Sequence, residues 1–367
     1  MNFESKYISG VKPYKLSSHR AWETRNNEVL KLDWNEATIP PSPLVISKLK
    51  ESFSEQHLNW YPDVSNKSLL FKIAAYAKVD TTEVQYFPGS DTIHEYIIRA
   101  YIEPGDKLII ASPTYDNFRS VAESGGAILS YFKSDDEFQL DLNLLQDFID
   151  KISPKIVYIV NPNNPTGTYS NINDLKKIIL NNSNTMFVVD EAYYEFCGYS
   201  LSDLVSTNEN LLITRTFSKA FALASFRIGY IISNKINIQI MNKVRNAKNI
   251  SLFAQIAAEA ALDSYDYTQQ YVTEVISARE FFYQKILKFK DFVVFKSNGN
   301  FIFVKVLSVE TKYEIIRYLE NANIYIRDYS HVVGFENYFR ISIGTIDQME
   351  YVYNVLNEYF NIKNNIK

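Results

Sequence analysis

The sequence has little cysteine, no long apolar run and no excess of positive charge. Its one cysteine, Cys197, excludes a disulfide within the chain and favours a reducing compartment. No apolar stretch reaches the roughly 18 residues that a membrane span needs, and the first residues lack the apolar core of a secretory signal. The formal net charge is −4 and no basic stripe is present, which argues against nucleic acid and an anionic membrane surface as partners. We therefore expect a cytoplasmic protein.

The length and composition of the chain are those of a globular protein with two domains. Its 367 residues are too many for one ordinary core. Hydrophobic residues make up 46% and charged residues 22%, which is typical of a folded chain. From the pattern described below, we place a large domain at residues 40–248. A small domain with an N-terminal arm takes residues 1–39 and 249–367.

Residues 65–245 alternate between short apolar runs and helical patterns. The apolar runs predict buried strands at 108–112, 127–132, 155–160, 186–190, 211–215 and 228–233. The helical patterns lie at 91–102, 115–124, 141–151 and 171–180. Strands that are near-continuously apolar and separated by helices predict an α/β fold, with a mainly parallel sheet sandwiched by helices. Ligands of such sheets bind at the carboxyl ends of the strands.

The pattern changes after about residue 250. A long helical stretch at 252–290 precedes four short apolar runs and two further helical patterns. The runs lie at 292–295, 300–306, 324–327 and 338–344, and the helical patterns at 311–321 and 346–360. This order predicts a smaller α+β unit. The first 35 residues precede the sheet and lack a core of their own, so we expect them to pack with this unit.

Three polar segments follow predicted strands. NPNNPTG occupies 161–167, DEAYYEF occupies 190–196, and TFSKAFALASFRIG occupies 216–229. Each segment alone has an ordinary explanation. The first is rich in turn-forming residues, Asp190 could cap a helix, and Lys219 could be a solvated surface lysine. Their combination at these intervals is more specific than any one of them.

Together the segments resemble the fold-type I pyridoxal-5′-phosphate (PLP) aminotransferases, and in particular the histidinol-phosphate aminotransferase branch. The most specific match is the string S-K-A-F-A-L-A-x-x-R-x-G, which begins at Ser218. The resemblance runs from about Tyr14 to Gly344. It implies the PLP-dependent transferase fold of type I, a bound PLP and an aminotransferase that works as a homodimer.

The resemblance assigns roles around the cofactor ring. Lys219 is implied to bond covalently to the cofactor and to move the proton during transfer. Asp190 is implied to pair with the pyridine nitrogen, which must stay protonated to withdraw electrons. Asn164 and Tyr193 match the residues that donate to the ring's 3′ oxygen. Tyr115 matches the aromatic residue that stacks on the ring, although for Tyr115 alone core packing is an equal interpretation.

The resemblance also implies a binding site for the cofactor's phosphate. Backbone N–H groups at a helix N-terminus bind anions, and a cation and hydroxyls complete such a site. The implied contacts are Gly89, Ser90, Asp91, Thr216, Ser218 and Arg227. Tyr61 resembles the tyrosine that reaches this phosphate from the neighbouring subunit.

Two arginines match residues that bind the substrate. Arg340 matches the arginine that pairs with the substrate's α-carboxylate, a task that suits the planar guanidinium. A structural salt bridge is the alternative. Arg327 matches the arginine that contacts the substrate's phosphate, helped by a tyrosine that resembles Tyr14. A surface pair with Asp328 is its alternative.

The segment LDWNEATIPPS at 32–42 departs from the Ser-Asn-Glu-Asn-Pro-like string of that branch. Asn35 and Glu36 align with it, and Asn35 is expected to border the substrate. Trp34 stands where a small residue is common. We hypothesise that Trp34 narrows the pocket and favours a substrate smaller than one that carries an imidazole; the alternative places its ring in the core. The residues at 328–337 differ too, and their His331 has no neighbouring ligands that would predict a metal site.

The leading functional prediction is transfer of an amino group between an amino acid, with glutamate as the expected donor, and a small phosphorylated carbonyl compound. Histidinol phosphate is one candidate substrate. A smaller phosphorylated ketone, such as one used in surface-glycan biosynthesis, is another. An alternative is decarboxylation of a phosphorylated amino acid. A more distant alternative is a PLP- or metabolite-binding module without catalysis.

Overall fold

The computed structural model describes residues 3–13, 21–22, 28–55 and 58–366. Tyr14 lies outside them. The described strands are β1 (Leu30–Leu32), β2 (Val84–Phe87), β3 (Lys107–Ser112), β4 (Ile128–Lys133), β5 (Ile156–Val160), β6 (Met186–Asp190), β7 (Leu211–Thr216), β8 (Gly229–Ser233), β9 (Phe292–Val294), β10 (Phe301–Val306), β11 (Ile324–Asp328) and β12 (Tyr338–Ser342). The described α-helices are α1 (Pro43–Glu55), α2 (Lys67–Ala77), α3 (Gly89–Tyr101), α4 (Asn117–Ser124), α5 (Leu142–Ile152), α6 (Ile172–Asn181), α7 (Tyr194–Cys197), α8 (Lys235–Val244), α9 (Leu252–Asp263), α10 (Tyr265–Ile286), α11 (Val309–Asn321) and α12 (Ile346–Ile366). None of these helices is both long and apolar enough to cross a membrane.

The large sheet has seven strands in the order β2-β8-β7-β6-β5-β3-β4. Its strands β3 to β7 pair in parallel, whereas β8 is antiparallel to both β7 and β2. Every residue of β5, β7 and β8 is buried. Such burial follows from helices on both faces of the sheet, and it explains why these strands are largely apolar. The predicted mainly parallel sheet is confirmed.

The small sheet has five strands in the order β1-β11-β12-β10-β9. The first strand, β1, pairs in parallel with β11, and the remaining pairs are antiparallel. The N-terminal segment therefore contributes an edge strand to a sheet that is otherwise built from residues after 290. The domain boundaries at 39/40 and 248/249 stay a prediction.

The helical stretch predicted at 252–290 is two helices. α9 ends at Asp263, α10 begins at Tyr265, and α10 ends at Ile286, before residue 290. Ser264 lies at the break, where its hydroxyl donates to the Ala260 carbonyl at 2.7 Å. A serine that bonds to its own backbone competes with the helical hydrogen-bond ladder, which explains an interruption at this residue.

Candidate active site

The carboxyl ends of β5, β6 and β7 meet at one edge of the large sheet. These three strands are parallel neighbours, so the segments that follow them come together. The segment 161–167 follows β5, Asp190 ends β6, and Thr216 ends β7. This is the edge at which open parallel sheets bind their ligands.

Asp190 is a buried carboxylate with no cationic side chain of Lys or Arg paired to it among the described residues. Its Oδ1 accepts from the Ala192 N–H at 3.0 Å. Its Oδ2 lies 3.3 Å from the Tyr158 hydroxyl and 3.6 Å from Nε2 of His94. Burial raises the pKa of Asp190, and the nearby His94 opposes that rise. A buried carboxylate without a lysine or arginine partner suits a cationic group of a ligand.

Lys219 lies beside the substrate-side residues, where its Nζ donates to the Trp34 carbonyl at 3.0 Å. Desolvation by the surrounding protein, and after it the positive charge of Arg340, lower the pKa of Lys219 to about 8, against the opposing charge of Glu36. An amine with a lowered pKa is a better nucleophile and proton carrier near neutral pH.

Tyr193 and Asn164 lie in two short hydrogen-bonded chains. Nδ2 of Asn35 donates to the Tyr193 hydroxyl at 3.0 Å, and the Asn35 Oδ1 accepts from Ser342 at 3.0 Å. Nη1 of Arg340 donates to Oδ1 of Asn164 at 2.5 Å. Asn35, Asn164, Tyr193 and Arg340 are all buried, so these bonds fix their side chains next to the sheet edge.

An anion-binding cradle forms where α3 begins. Gly89 has φ +83°, and the helix has no side-chain cap, so its first backbone N–H groups are available to an anion. A Cβ at Gly89 would lie 2.7 Å from Nη2 of Arg227. Arg227 also donates to the Ser218 hydroxyl at 3.2 Å, and Thr216 accepts from the Ser218 N–H at 3.0 Å. Ser90 follows Gly89 at the start of the helix.

Asp91 connects the cradle to the segment after β3. Its Oδ1 accepts from the Tyr115 hydroxyl at 3.1 Å and from Asn117 at 3.3 Å. Its Oδ2 lies 3.4 Å from Nη2 of Arg227. The helix begins at Gly89, two residues before the predicted start, and therefore includes Asp91 in its first turn. Tyr115 is thus anchored at its hydroxyl end.

Tyr61 is not brought to this cluster within one chain. Its side chain is 76% exposed, and its ring packs under Lys248, whose Nζ lies 4.6 Å from the ring centroid. Among the described residues, no hydrogen bond or ring contact joins it to the other candidates.

Arg327 and Arg340 are opposite one another on the antiparallel strands β11 and β12. Both are buried, and no carboxylate of the described residues forms an ion pair with either. Asp328, the alternative partner of Arg327, pairs instead with Lys312 at 2.5 Å. Directly opposite residues project from the same face of a sheet, so two buried cations lie side by side.

Trp34 is half-buried and directly precedes Asn35. The Lys31 Nζ lies 5.3 Å from the centroid of its ring, and Lys31 pairs with Asp33 at 2.9 Å and with Glu36. The ring therefore lies against a charged surface rather than wholly inside the hydrophobic core.

His94 is a buried polar residue near the site that sequence reasoning missed. It lies one turn into α3, is fully buried, and contacts Asp190. The sequence contained a weak sign of it, because a histidine on the apolar face of TIHEYIIRAYI is unusual in a core position.

The residues at this edge fit PLP in charge and in chemistry. A buried carboxylate at Asp190 suits a protonated pyridine nitrogen, and a lysine with lowered pKa suits the cofactor's aldehyde. The uncapped helix start at Gly89, together with Arg227 and Ser218, suits a phosphate.

Comparison with known proteins gives the same family throughout. The model of the family "aminotransferase class I and II" matches residues 27–356. The chain is 46% identical over 363 residues to a dihydroxyacetone phosphate transaminase from Campylobacter jejuni, covering 97% of this chain and 96% of that one. It is 30% identical to a histidinol-phosphate aminotransferase from Methanocaldococcus jannaschii, covering 96% of each chain.

A solved structure has the same fold. The histidinol-phosphate aminotransferase from Sinorhizobium meliloti in complex with PLP superposes with a TM-score of 0.87 at 23% identity, covering 98% of this chain and 97% of that one. The expected PLP-dependent transferase fold of type I is confirmed. The chain therefore belongs to the class I and II aminotransferases, within the histidinol-phosphate aminotransferase-like branch, and is a PLP-dependent aminotransferase.

Proposed function

We propose that this enzyme transfers the amino group of glutamate to a small phosphorylated ketone of the size of dihydroxyacetone phosphate. The observation that carries the proposal is the pair of buried guanidinium groups, Arg327 and Arg340, opposite one another on β11 and β12. A buried cation without an ionic partner is costly, so each of these side chains suits an anionic group of a substrate.

The two arginines suit different anions. Arg340 is held by Asn164 and by the Asp33 carbonyl, which accepts from its Nη2 at 2.7 Å. The Nε of Arg340 is buried without a hydrogen-bond partner in the described residues and is available to a carboxylate. Arg327 is the second cation, for the phosphate of the acceptor or the distal carboxylate of glutamate. One pocket can therefore bind both substrates in turn.

Two observations support a small acceptor: the position of Trp34 and the similarity to one relative. The backbone carbonyl of the half-buried Trp34 accepts a hydrogen bond from Lys219, so its ring starts close to the reactive amine. The relative that is 46% identical over nearly the whole chain is a dihydroxyacetone phosphate transaminase. A three-carbon ketone phosphate has no imidazole to accommodate, which agrees with a pocket that a tryptophan narrows.

Each residue predicted to contact the cofactor has a role in the proposed reaction. Bound PLP supplies the electron-withdrawing ring that makes the substrate's Cα proton acidic. Lys219 would hold the cofactor, and its amine would take up the proton from the substrate's Cα. Asp190 keeps the ring nitrogen protonated, while Asn164 and Tyr193 bind the ring's 3′ oxygen. The phosphate is held by Gly89, Ser90, Asp91, Thr216, Ser218 and Arg227, with Tyr115 against the ring.

A panel of substrates tests the proposal. Glutamate should bleach the visible absorbance of the holoenzyme and release 2-oxoglutarate. Dihydroxyacetone phosphate should then restore the absorbance and yield the corresponding amino-alcohol phosphate. An enzyme that turned over histidinol phosphate faster than this three-carbon amine would contradict the proposed acceptor.

Two variants test the roles of the arginines. Arg340→Gln should lower kcat/KM for glutamate, whose α-carboxylate it binds, and act little on the ketone phosphate, which has no carboxylate. Arg327→Gln should lower kcat/KM for both glutamate and the phosphorylated ketone, since both carry the distal anion that it binds. The expected loss is about ten- to a hundredfold or more, since a hydrogen bond to a charged group contributes about 1.5–3 kcal/mol. Alanine, which has no distal anion, serves as the control donor and should be insensitive to Arg327→Gln. Equal losses for all three substrates would contradict separate roles.

We also propose a homodimer in the cytoplasm, in which Tyr61 of one subunit reaches the cofactor phosphate of the other. The exposure of Tyr61 supports the homodimer, because the side chain is accessible to a second subunit. The single free cysteine, Cys197, supports a reducing compartment.

A further inference from the structure

His94 is a buried ionisable residue that has no role in the proposed reaction. It lies on α3, five residues after Gly89, and its side chain is completely buried. Its ring meets the edges of two aromatic rings, Phe118 at 5.3 Å and Tyr158 at 5.4 Å, which stack on one another at 3.9 Å. Neither ring nitrogen has a hydrogen-bond partner within the described residues.

The carboxylate of Asp190 lies beside His94, with 3.6 Å between Nε2 and Oδ2. This separation is longer than a hydrogen bond but leaves no room for an intervening water, which would need about 4.5 Å or more between the two atoms. The contact is therefore a direct one between an imidazole and a carboxylate. Burial of both groups makes such an interaction stronger than it would be in water.

A hydrophobic residue would fill this place at lower cost. Burying an imidazole without a hydrogen bond costs free energy that leucine or isoleucine would not. The surroundings are apolar, since Phe118, Tyr158 and Ile97 belong to one buried hydrophobic cluster. Burial lowers the pKa of His94, so near neutral pH it presents an uncharged ring whose N–H dipole can face Asp190. Its presence is thus explained by the carboxylate rather than by packing.

We propose that His94 is a positioning residue, which fixes the orientation of the Asp190 carboxylate and stabilises its negative charge. The inference rests on the proposed role of Asp190 as the partner of the pyridine nitrogen. Of the two oxygens, Oδ1 accepts from the Ala192 N–H, while Oδ2 accepts from the Tyr158 hydroxyl and lies 3.6 Å from Nε2 of His94. His94 thus acts on PLP only through Asp190.

The test compares three variants of the full-length enzyme. His94→Leu keeps a similar volume and removes the N–H, whereas His94→Gln keeps a donor at a similar reach. Ile97→Val is the matched packing control, because Ile97 is fully buried one turn further along the same helix. The measurements are the dissociation constant of PLP from the apoenzyme and the absorption spectrum of the bound cofactor at one fixed pH.

His94→Leu should weaken PLP binding about tenfold or more, the scale of a lost interaction with a charged group. Its spectrum should move toward that of Asp190→Asn, while His94→Gln and Ile97→Val should keep the wild-type spectrum. A wild-type spectrum and affinity in His94→Leu would overturn the inference, as would an equal effect of Ile97→Val. If Asp190→Asn itself leaves both quantities unchanged, the proposed role of Asp190 fails instead.

Discussion

The charge of a single amine decides whether Lys219 can react with the cofactor. A lysine in water has a pKa of about 10.4 and is almost wholly protonated at neutral pH, so it is a poor nucleophile. In this chain, desolvation lowers the pKa of Lys219 to about 8. At pH 7 the reactive neutral fraction then rises from below a thousandth to roughly a tenth.

The rate at which the apoenzyme captures PLP should follow this pKa. Below about pH 8 the amine is protonated and capture is slow. As pH rises through 8 the rate should increase, and above it the rate should level off. Stopped-flow absorbance measures the covalent step, and Lys219→Ala should bind PLP without that step and lose transamination. A rate that kept rising to pH 10.5 would place the pKa of Lys219 at its ordinary value, and wild-type turnover by Lys219→Ala would refute its role.

Trp34 is the residue on which the choice of acceptor depends. Trp34→Gly removes the ring that packs under Lys31 while keeping the backbone carbonyl that accepts from Lys219. If the ring narrows the pocket, the variant should gain about tenfold or more in kcat/KM for histidinol phosphate relative to the three-carbon amine. The relevant measurement is the ratio of the two specificity constants, which is insensitive to the fraction of active enzyme. An unchanged ratio would favour a structural role for the ring.

At the scale of elements, the sequence predicts the central strands β5, β7 and β8 well because they are buried on both faces. The edge strand β4 is also predicted as buried, which is wrong, because each of its residues is at least partly exposed. The predicted ends of β3 to β8 agree with the structure within one residue, and the sharp boundaries come from polar motifs such as that at Asp190. The pattern gave no sign of β1 and β2, which are three and four residues long. A strand this short has no recognisable periodicity. The equally short β9 is predicted because its residues, FVV, are all aromatic or β-branched, whereas β1 and β2 contain Lys31 and Gln85.

The candidate site was predictable to the extent that it consists of local strings. Lys219, Arg227 and Ser218 lie within one segment, so their proximity could be read from the sequence. The contact between His94 and Asp190 could not, because 96 residues separate them and only the packing of α3 on the sheet brings them together. Contacts between elements require the tertiary fold, which local patterns do not contain.

A substitution at Gly89, the first residue of α3, can test whether this helix start binds the cofactor phosphate. Its φ of +83° disfavours any side chain, and a Cβ would also displace Arg227. Gly198 is a matched control, because its φ is +76° and a Cβ there meets nothing within 4 Å. Gly89→Ala should weaken PLP binding about ten- to a hundredfold through the displaced guanidinium. Gly198→Ala should share only the backbone cost, about 1–2 kcal/mol of stability.

The comparison is made by titrating both apoenzymes with PLP and by measuring both melting temperatures. Equal losses of PLP affinity in the two variants would assign the effect to backbone strain alone, and the cradle at α3 would lose its support.

At the scale of the whole molecule, the exposed apolar side chains of one chain indicate contact with a second subunit. Several large apolar side chains between residues 53 and 71 are exposed. They are Phe53, Leu58, Trp60, Tyr61, Val64 and Phe71. This many exposed apolar side chains within 19 residues of sequence favour a protein interface as the explanation. The 42.5 kDa chain should therefore sediment as a dimer.

Mixed dimers can show whether Tyr61 acts across the interface. Tyr61→Ala and Lys219→Ala should each be nearly inactive alone. If Tyr61 serves the neighbouring subunit, a hybrid of the two variants has one site with both defects and one site with neither. Random 1:1 reassociation makes half of the dimers hybrids, so about a quarter of wild-type activity should return. If Tyr61 serves its own subunit, both sites of every hybrid are defective and mixing restores nothing. The same mixture of Lys219→Ala with Asp190→Ala, two residues of one chain's site, is the control that should stay inactive.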